Sequence, residues 1–172
     1  IYRGLVGSEM CIRDSYVPPH PHPLLSPGAS EGYQRLRDAF DTCRERIENS
    51  DADLIIVYST TWPSIIGHQF QANPNSEWVH VDDDFHYLGS MPYSFTMDSV
   101  FAEACVEKAK ERGLQARTVN YDAFPIDTGS ITALSLLNPE NRIPATIVSS
   151  NMYANRSETI VLGKAIRDAL TE

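Results

Sequence analysis

Tyr33, Leu36, Phe40, Cys43 and Ile47 recur at steps of three or four, the spacing that aligns side chains on one face of an α-helix. Arg35, Arg37, Arg44, Glu45, Arg46 and Glu48 fill the positions between them, so the pattern predicts an amphipathic helix over 29–49. The period then changes. Residues 54–58, Leu-Ile-Ile-Val-Tyr, form a continuous apolar run of the kind found in strands covered on both faces. The run ends in Ser59-Thr60-Thr61-Trp62-Pro63, read as a polar loop at the C-terminal end of the strand, where open α/β sheets bind ligands.

Further along, Val100, Phe101, Ala104, Cys105 and Ala109 mark the inward face of a helix over 96–112, with Gly113 as its stop. A strand is expected at 114–119, a short helix or turn at 130–137, and a third buried strand at 145–149 behind Pro144. A last helix over 157–170 turns Leu162, Ala165, Ile166, Ala169 and Leu170 inward. Residues 67–95 show no sustained period and read as irregular, with short strands near 78–81. Residues 18–23 hold four prolines in six positions and are expected to form no regular structure. Helices alternating with short apolar strands predict an α/β fold with a mainly parallel central sheet flanked by helices.

Composition narrows the function. Asp and Glu number 23 against 14 Lys and Arg, a net charge of −9, which argues against a nucleic-acid partner. No apolar run approaches the roughly 18–20 residues of a membrane span. Cys11, Cys43 and Cys105 are odd in number and lack a CxxC spacing, so neither a disulfide framework nor a zinc module is read, and a reducing cytoplasm is. Cys43 and Cys105 lie on apolar helix faces and are expected in the core. Residues 1–15 show neither a signal-peptide pattern nor a strand or helix period. They resemble translated sequencing-adapter sequence and are read as non-native, leaving 16–172 as the domain.

The candidate chemistry lies in the histidines: His20, His22, His68, His80 and His86. A mononuclear ferrous site uses two His and one carboxylate on one face of the metal, leaving positions open for substrate and O₂. Two groupings could serve it: His20 and His22 with Thr60 and Thr61, or the run His80-Val-Asp82-Asp83-Asp84-Phe-His86. Charge runs are usually solvated loops. No G-x-S-x-G elbow, P-loop or G-x-G-x-x-G is present. Asn155-Arg156-Ser157 fits a glycosylation sequon but reads as a helix cap. Trp62 and Trp78 read as packing residues, though aromatic side chains also mark subunit interfaces.

Several motifs then fall in order. Val57-Tyr58-Ser59-Thr60-Thr61-Trp62 is similar to the V-x-S-P-H-W strand end of class III extradiol ring-cleavage dioxygenases, the protocatechuate 4,5-dioxygenase β-subunit family. The similarity continues through Gly67-His68-Gln69-Phe70, Val79-His80-Val81-Asp82, Ala102-Glu103-Ala104-Cys105, the 119–129 stretch and Ser149-Ser150-Asn151-Met152-Tyr153. Together the motifs most resemble the non-catalytic α-type subunits of the family's two-subunit members that cleave 2-aminophenol, and they cover about 16–172.

The resemblance implies several things about the site. One iron ligand of the catalytic subunits falls on His20. The second falls on Thr61, a poor Fe(II) ligand beside imidazole. A His near the substrate falls on Thr128, within Asp127-Thr128-Gly129. His68 could reach the mouth of the pocket. The Glu ligand and an acid/base His come from a C-terminal third of the family domain that this chain is expected to lack, exposing the sheet surface that third covers. The implied role is a structural subunit holding a catalytic β-type partner that carries Fe(II), in a hetero-oligomer. Two alternatives stand beside it: a dioxygenase in its own right using His20, and a non-enzymatic binding protein on the same fold.

Overall fold

The structure is a computed structural model that describes residues 19–122 and 124–171; the readings of 1–15 and of Cys11 lie outside them. Among the described residues, six strands and five α-helices form an α/β fold. They follow in the order α1 (His22–Leu25), α2 (Glu31–Glu48), β1 (Ile55–Ser64), β2 (His68–Gln71), β3 (Asn75–His80), β4 (Met91–Thr96), α3 (Ser99–Glu111), β5 (Ala116–Val119), α4 (Thr128–Leu137), β6 (Ala145–Asn151) and α5 (Arg156–Ala169). The main sheet runs β1-β6-β2-β5, and β3 and β4 form a separate hairpin. Pairs β1–β6 and β2–β5 are parallel, while β2 meets β6 antiparallel.

Helix ends follow local chemistry. The side chains of Ser30, Asp98, Asp127 and Asn155 each accept a backbone N–H at the start of α2, α3, α4 and α5. Asn155 and Glu158 close a full capping box, as the cap reading of that tripeptide anticipates. Gly113 follows the end of α3 with φ +79°, a conformation that side chains with a Cβ resist.

Neighbouring residues of β6 point to opposite sides of the sheet, and this divides the core. Val148 joins Phe70, Phe101, Ala102, Cys105, Val106, Leu162 and Ala169 beneath α3 and α5. Ile147 joins Met91, Tyr93, Phe95, Ile126, Ile131 and Leu134 beneath α4 and the hairpin. Burial, reinforced by the charge of Asp98, pushes the Cys105 thiol up to about 12, so it is a packing group and not a nucleophile. On the α3 and α5 side of the edge strand β1, Ile56 and Tyr58 are 37% and 44% exposed.

Several expectations are corrected. The proline-rich segment does contain a helical turn, because Pro21 caps α1 and Pro23 occupies its first turn, where no N–H is needed. Residues 67–95 hold three strands: β3 overlaps the strand expected near 78–81, β2 is only four residues long, and β4 alternates buried Met91, Tyr93 and Phe95 with exposed Pro92, Ser94 and Thr96, a period the sequence reading passes over. Cys43 is only half-buried, and Val100 is 77% exposed because it sits in the first turn of α3, ahead of the packed stretch. Trp78 is 61% exposed and packs into no core.

Candidate functional site

The polar stretch after residue 58 is not a loop. It stays within β1, whose pairing with β6 steps from Tyr58–Val148 to Pro63–Ser150, so four residues of β1 stand opposite one of β6. Such a bulge bends the strand and re-aims its side chains. Ser59 holds it together: its Oγ accepts from the backbone N–H of Thr61 (3.2 Å) and Trp62 (3.0 Å).

Asp127 caps α4 and reaches this bulge. Its Oδ2 accepts from Thr61 Oγ1 at 2.5 Å, Ser59 Oγ at 2.9 Å and Ser130 N at 2.9 Å, and its Oδ1 accepts from Ser130 Oγ at 2.8 Å. The carboxylate therefore fastens the helix start to the strand bulge. Gly129 lies at the tightest point of the join. A Cβ there would stand 2.6 Å from Thr61 Oγ1 and 2.7 Å from Pro19 Cβ, closer than real Cβ contacts, so glycine lets the segment leading to His20 approach Thr61.

A second carboxylate–threonine unit adjoins the first. Thr128 Oγ1 donates to Asp82 Oδ2 and lies 2.9 Å from His80 Nε2. Burial works to raise the Asp82 carboxyl, but Thr128, the N–H groups of Phe85 and Asp84, and the charge of His80 together hold it below its ordinary value. Asp83, Asp84 and His86 stay exposed, so the acidic run splits into a site half and a solvated half.

His20 and His22 form the third part. Their Nδ1 atoms are 3.1 Å apart, and Tyr33 and Phe85 pack on both rings. Burial first, then the charge of His22, lowers His20 below the ordinary imidazole value, against the pull of Asp82.

His20, Thr61 and Thr128 thus fall in neighbouring parts of one region through the segment before α1, the bulge of β1 and the start of α4. His68 does not join them. It lies 1% exposed in β2, two residues before Phe70 and so on the α3 and α5 side of the sheet, where Glu158 acts on it. Sequence reasoning missed Ser59, Asp82 and Asp127 as organising residues. Asp127 carried the only available signal, an acid three residues before Ser130 at a helix start.

A ferrous ion would need three ligands converging on it. Among the described residues no three His, Cys, Asp or Glu side chains do so, and the Thr61 hydroxyl is committed to Asp127. The residues present do not fit that ion.

Residues 14–172 match the family model described as the catalytic LigB subunit of aromatic ring-opening dioxygenase. The chain belongs to this family. It is 31% identical to the 2-aminophenol 1,6-dioxygenase alpha subunit of a Pseudomonas species over 83% of this chain and 53% of that one. It is 30% identical to the beta subunit, also from Pseudomonas, over 92% of this chain and 57% of that one. The chain therefore spans somewhat over half the length of these relatives. Among solved structures, an uncharacterized protein from Escherichia coli K12 superposes with a TM-score of 0.42 at 16% identity, over 64% of this chain and 39% of that one.

Proposed function

We propose that this chain is part of a structural α-type subunit of an extradiol ring-cleavage dioxygenase acting on 2-aminophenol or a related catecholic aromatic. Its domain is 16–172, with 1–15 foreign to it. The partner is a catalytic β-type subunit that carries Fe(II), and the assembly is cytoplasmic. Among the described residues no helix is long and apolar enough to cross a membrane, in keeping with that setting. Identities of 31% and 30% do not separate an α role from a β role. The observation that carries the reading is the state of the two threonines. Thr61 and Thr128 stand where the resemblance calls for histidines, and each hydroxyl is bonded to a carboxylate, Asp127 or Asp82. Neither threonine brings an imidazole lone pair to the position that it occupies.

The test is to load the chain with Fe(II) under anaerobic conditions, alone and after co-expression with a β-type subunit, then assay retained iron and O₂ uptake with 2-aminophenol. Iron and turnover are expected only in the pair. One equivalent of retained iron with ring cleavage by the chain alone would overturn the proposal and favour the reading in which His20 serves a complete iron site.

A further inference from the structure

The contact between His20 and His22 decides what each ring can do. Their Nδ1 atoms lie 3.1 Å apart, within hydrogen-bond range. Two bare nitrogens at that distance would set lone pair against lone pair, so one of them carries a hydrogen. The backbone decides which. The N–H of His22 is directed at His20 Nδ1 across 3.4 Å, and a backbone N–H can only donate. His20 Nδ1 is therefore the acceptor, and His22 Nδ1 holds the hydrogen that it receives. In a neutral imidazole one nitrogen donates and the other accepts. The assignment at Nδ1 thus fixes the far atoms as well: His20 Nε2 bears a hydrogen and His22 Nε2 is bare.

Packing holds the two rings in this relation. Pro21 stands between them and Pro23 follows, and each proline ring fixes its own φ. Tyr33 stacks on both imidazoles, with centroids 5.3 Å from His20 and 4.2 Å from His22. Phe85 meets them at 4.5 and 5.4 Å, and Tyr87 presents an edge to His22 at 6.3 Å. His22 is 7% exposed, yet among the described residues nothing is hydrogen-bonded to its Nε2. We propose that His20 is a positioning residue for His22: it holds His22 in the Nδ1–H form, so the lone pair left to this corner of the candidate site is that of His22 Nε2. The group that this nitrogen suits is an O–H or N–H donor. The inference rests on the ring contacts alone and stands whichever subunit role the chain plays. A metal on His20 would have to invert the pair, because His20 Nδ1 receives the N–H groups of His22 and its Nε2 carries a hydrogen.

The test reads the ring hydrogens directly. Long-range proton–nitrogen NMR of the isotope-labelled 172-residue chain separates bare from protonated ring nitrogens by chemical shift. It is run at about pH 8.5, above the ordinary imidazole value of about 6.5. His22 is expected with a protonated Nδ1 and a bare Nε2, and His20 with the reverse. His22 is the informative ring, because a neutral histidine without such contacts favours the hydrogen on Nε2. His20→Phe keeps an aromatic ring against Tyr33 and Phe85 but removes the acceptor, so the His22 resonances should shift to the Nε2–H pattern. His20→Asn can place its side-chain oxygen where Nδ1 was and should return His22 to the Nδ1–H pattern, which a role in packing alone would not predict. A wild-type His22 that carries its hydrogen on Nε2 would overturn the proposal. So would a His22 pattern that stays the same in His20→Phe, or one that Asn restores no better than Phe.

Discussion

Asp127 and His68, on opposite sides of the main sheet, are satisfied to different degrees. Toward α4, the Asp127 carboxylate receives four hydrogen bonds from Thr61, Ser59 and Ser130, and the two from Thr61 and Ser59 tie β1 to the start of α4. Toward α3 and α5, His68 is 1% exposed with no partner for Nδ1. A satisfied network fixes geometry, while an orphan mainly costs stability. The α4 side holds the site in place and the α3 and α5 side holds the chain together. That division can be broken experimentally at four points.

The largest effect is expected from the cohesive side. Phe70 is fully buried among Phe101, Leu162 and Val148, so Phe70→Ala should cost about 3–5 kcal/mol, measured by urea unfolding. The contacts between Asp127 and Thr61 lie across the sheet and should survive wherever the variant remains folded. An NMR comparison in which the resonances of α4 shifted as much as those of α3 would show that the two sides are not separable.

Asp127→Ala comes next. It removes a helix cap and leaves the hydroxyls of Thr61, Ser59 and Ser130 without their shared acceptor, for an expected loss of about 2–3 kcal/mol. Asp127→Asn keeps an acceptor oxygen for the cap and should recover part of it. If both variants melted with the wild type, the carboxylate would not be the fastening point of β1 to α4.

Gly129→Ala tests the close approach of the segment carrying His20. The added Cβ meets Thr61 Oγ1 and Pro19 Cβ at 2.6 and 2.7 Å, and overpacking of this kind costs about 1–3 kcal/mol. Thr61→Ala removes one of the two obstacles, so the double variant should lose less than the sum of the singles. Strict additivity would mean that the Pro19 contact alone decides the cost.

The cohesive side was the more legible in the sequence, for a physical reason. Phe101, Cys105, Leu162 and Ala165 recur at helical spacing because burial imposes a period, and short parallel strands such as 145–149 show as apolar runs. Site geometry leaves no period. Ser59 serves as a hub only because β1 bulges, and the bulge is a register mismatch with β6, nearly ninety residues away. Asp82 sits in a run whose other acids are solvated, and only the fold brings Thr128 to it. The resemblance located His20, Thr61 and Thr128 in one region because motif order carries such information. It placed His68 with them because sequence cannot tell which face of a β-strand a side chain takes when the neighbours His68, Gln69, Phe70 and Gln71 are all buried.

The smallest effect is the pH response of the orphan itself. Burial lowers the proton affinity of His68 below that of an ordinary imidazole, and Glu158 only partly opposes this. The unfolded chain, where His titrates near its ordinary value of about 6.5, then binds the proton more readily than the folded one. The contribution of neutral His68 is complete above that value and is lost as the pH falls below it, at no more than about 1.4 kcal/mol per pH unit for one proton. His20 is shifted in the same direction, so the wild-type slope contains both groups. His68→Met fills the same space without a titrating group or an orphaned nitrogen. It should leave stability at pH 7.5 unchanged or raised and reduce the decline between pH 6.5 and 5, with the remaining slope belonging to His20. If His68→Met kept the full wild-type slope in thermal melts across that range, the acid response would belong to the α4 side, and His68 would be paired in solution.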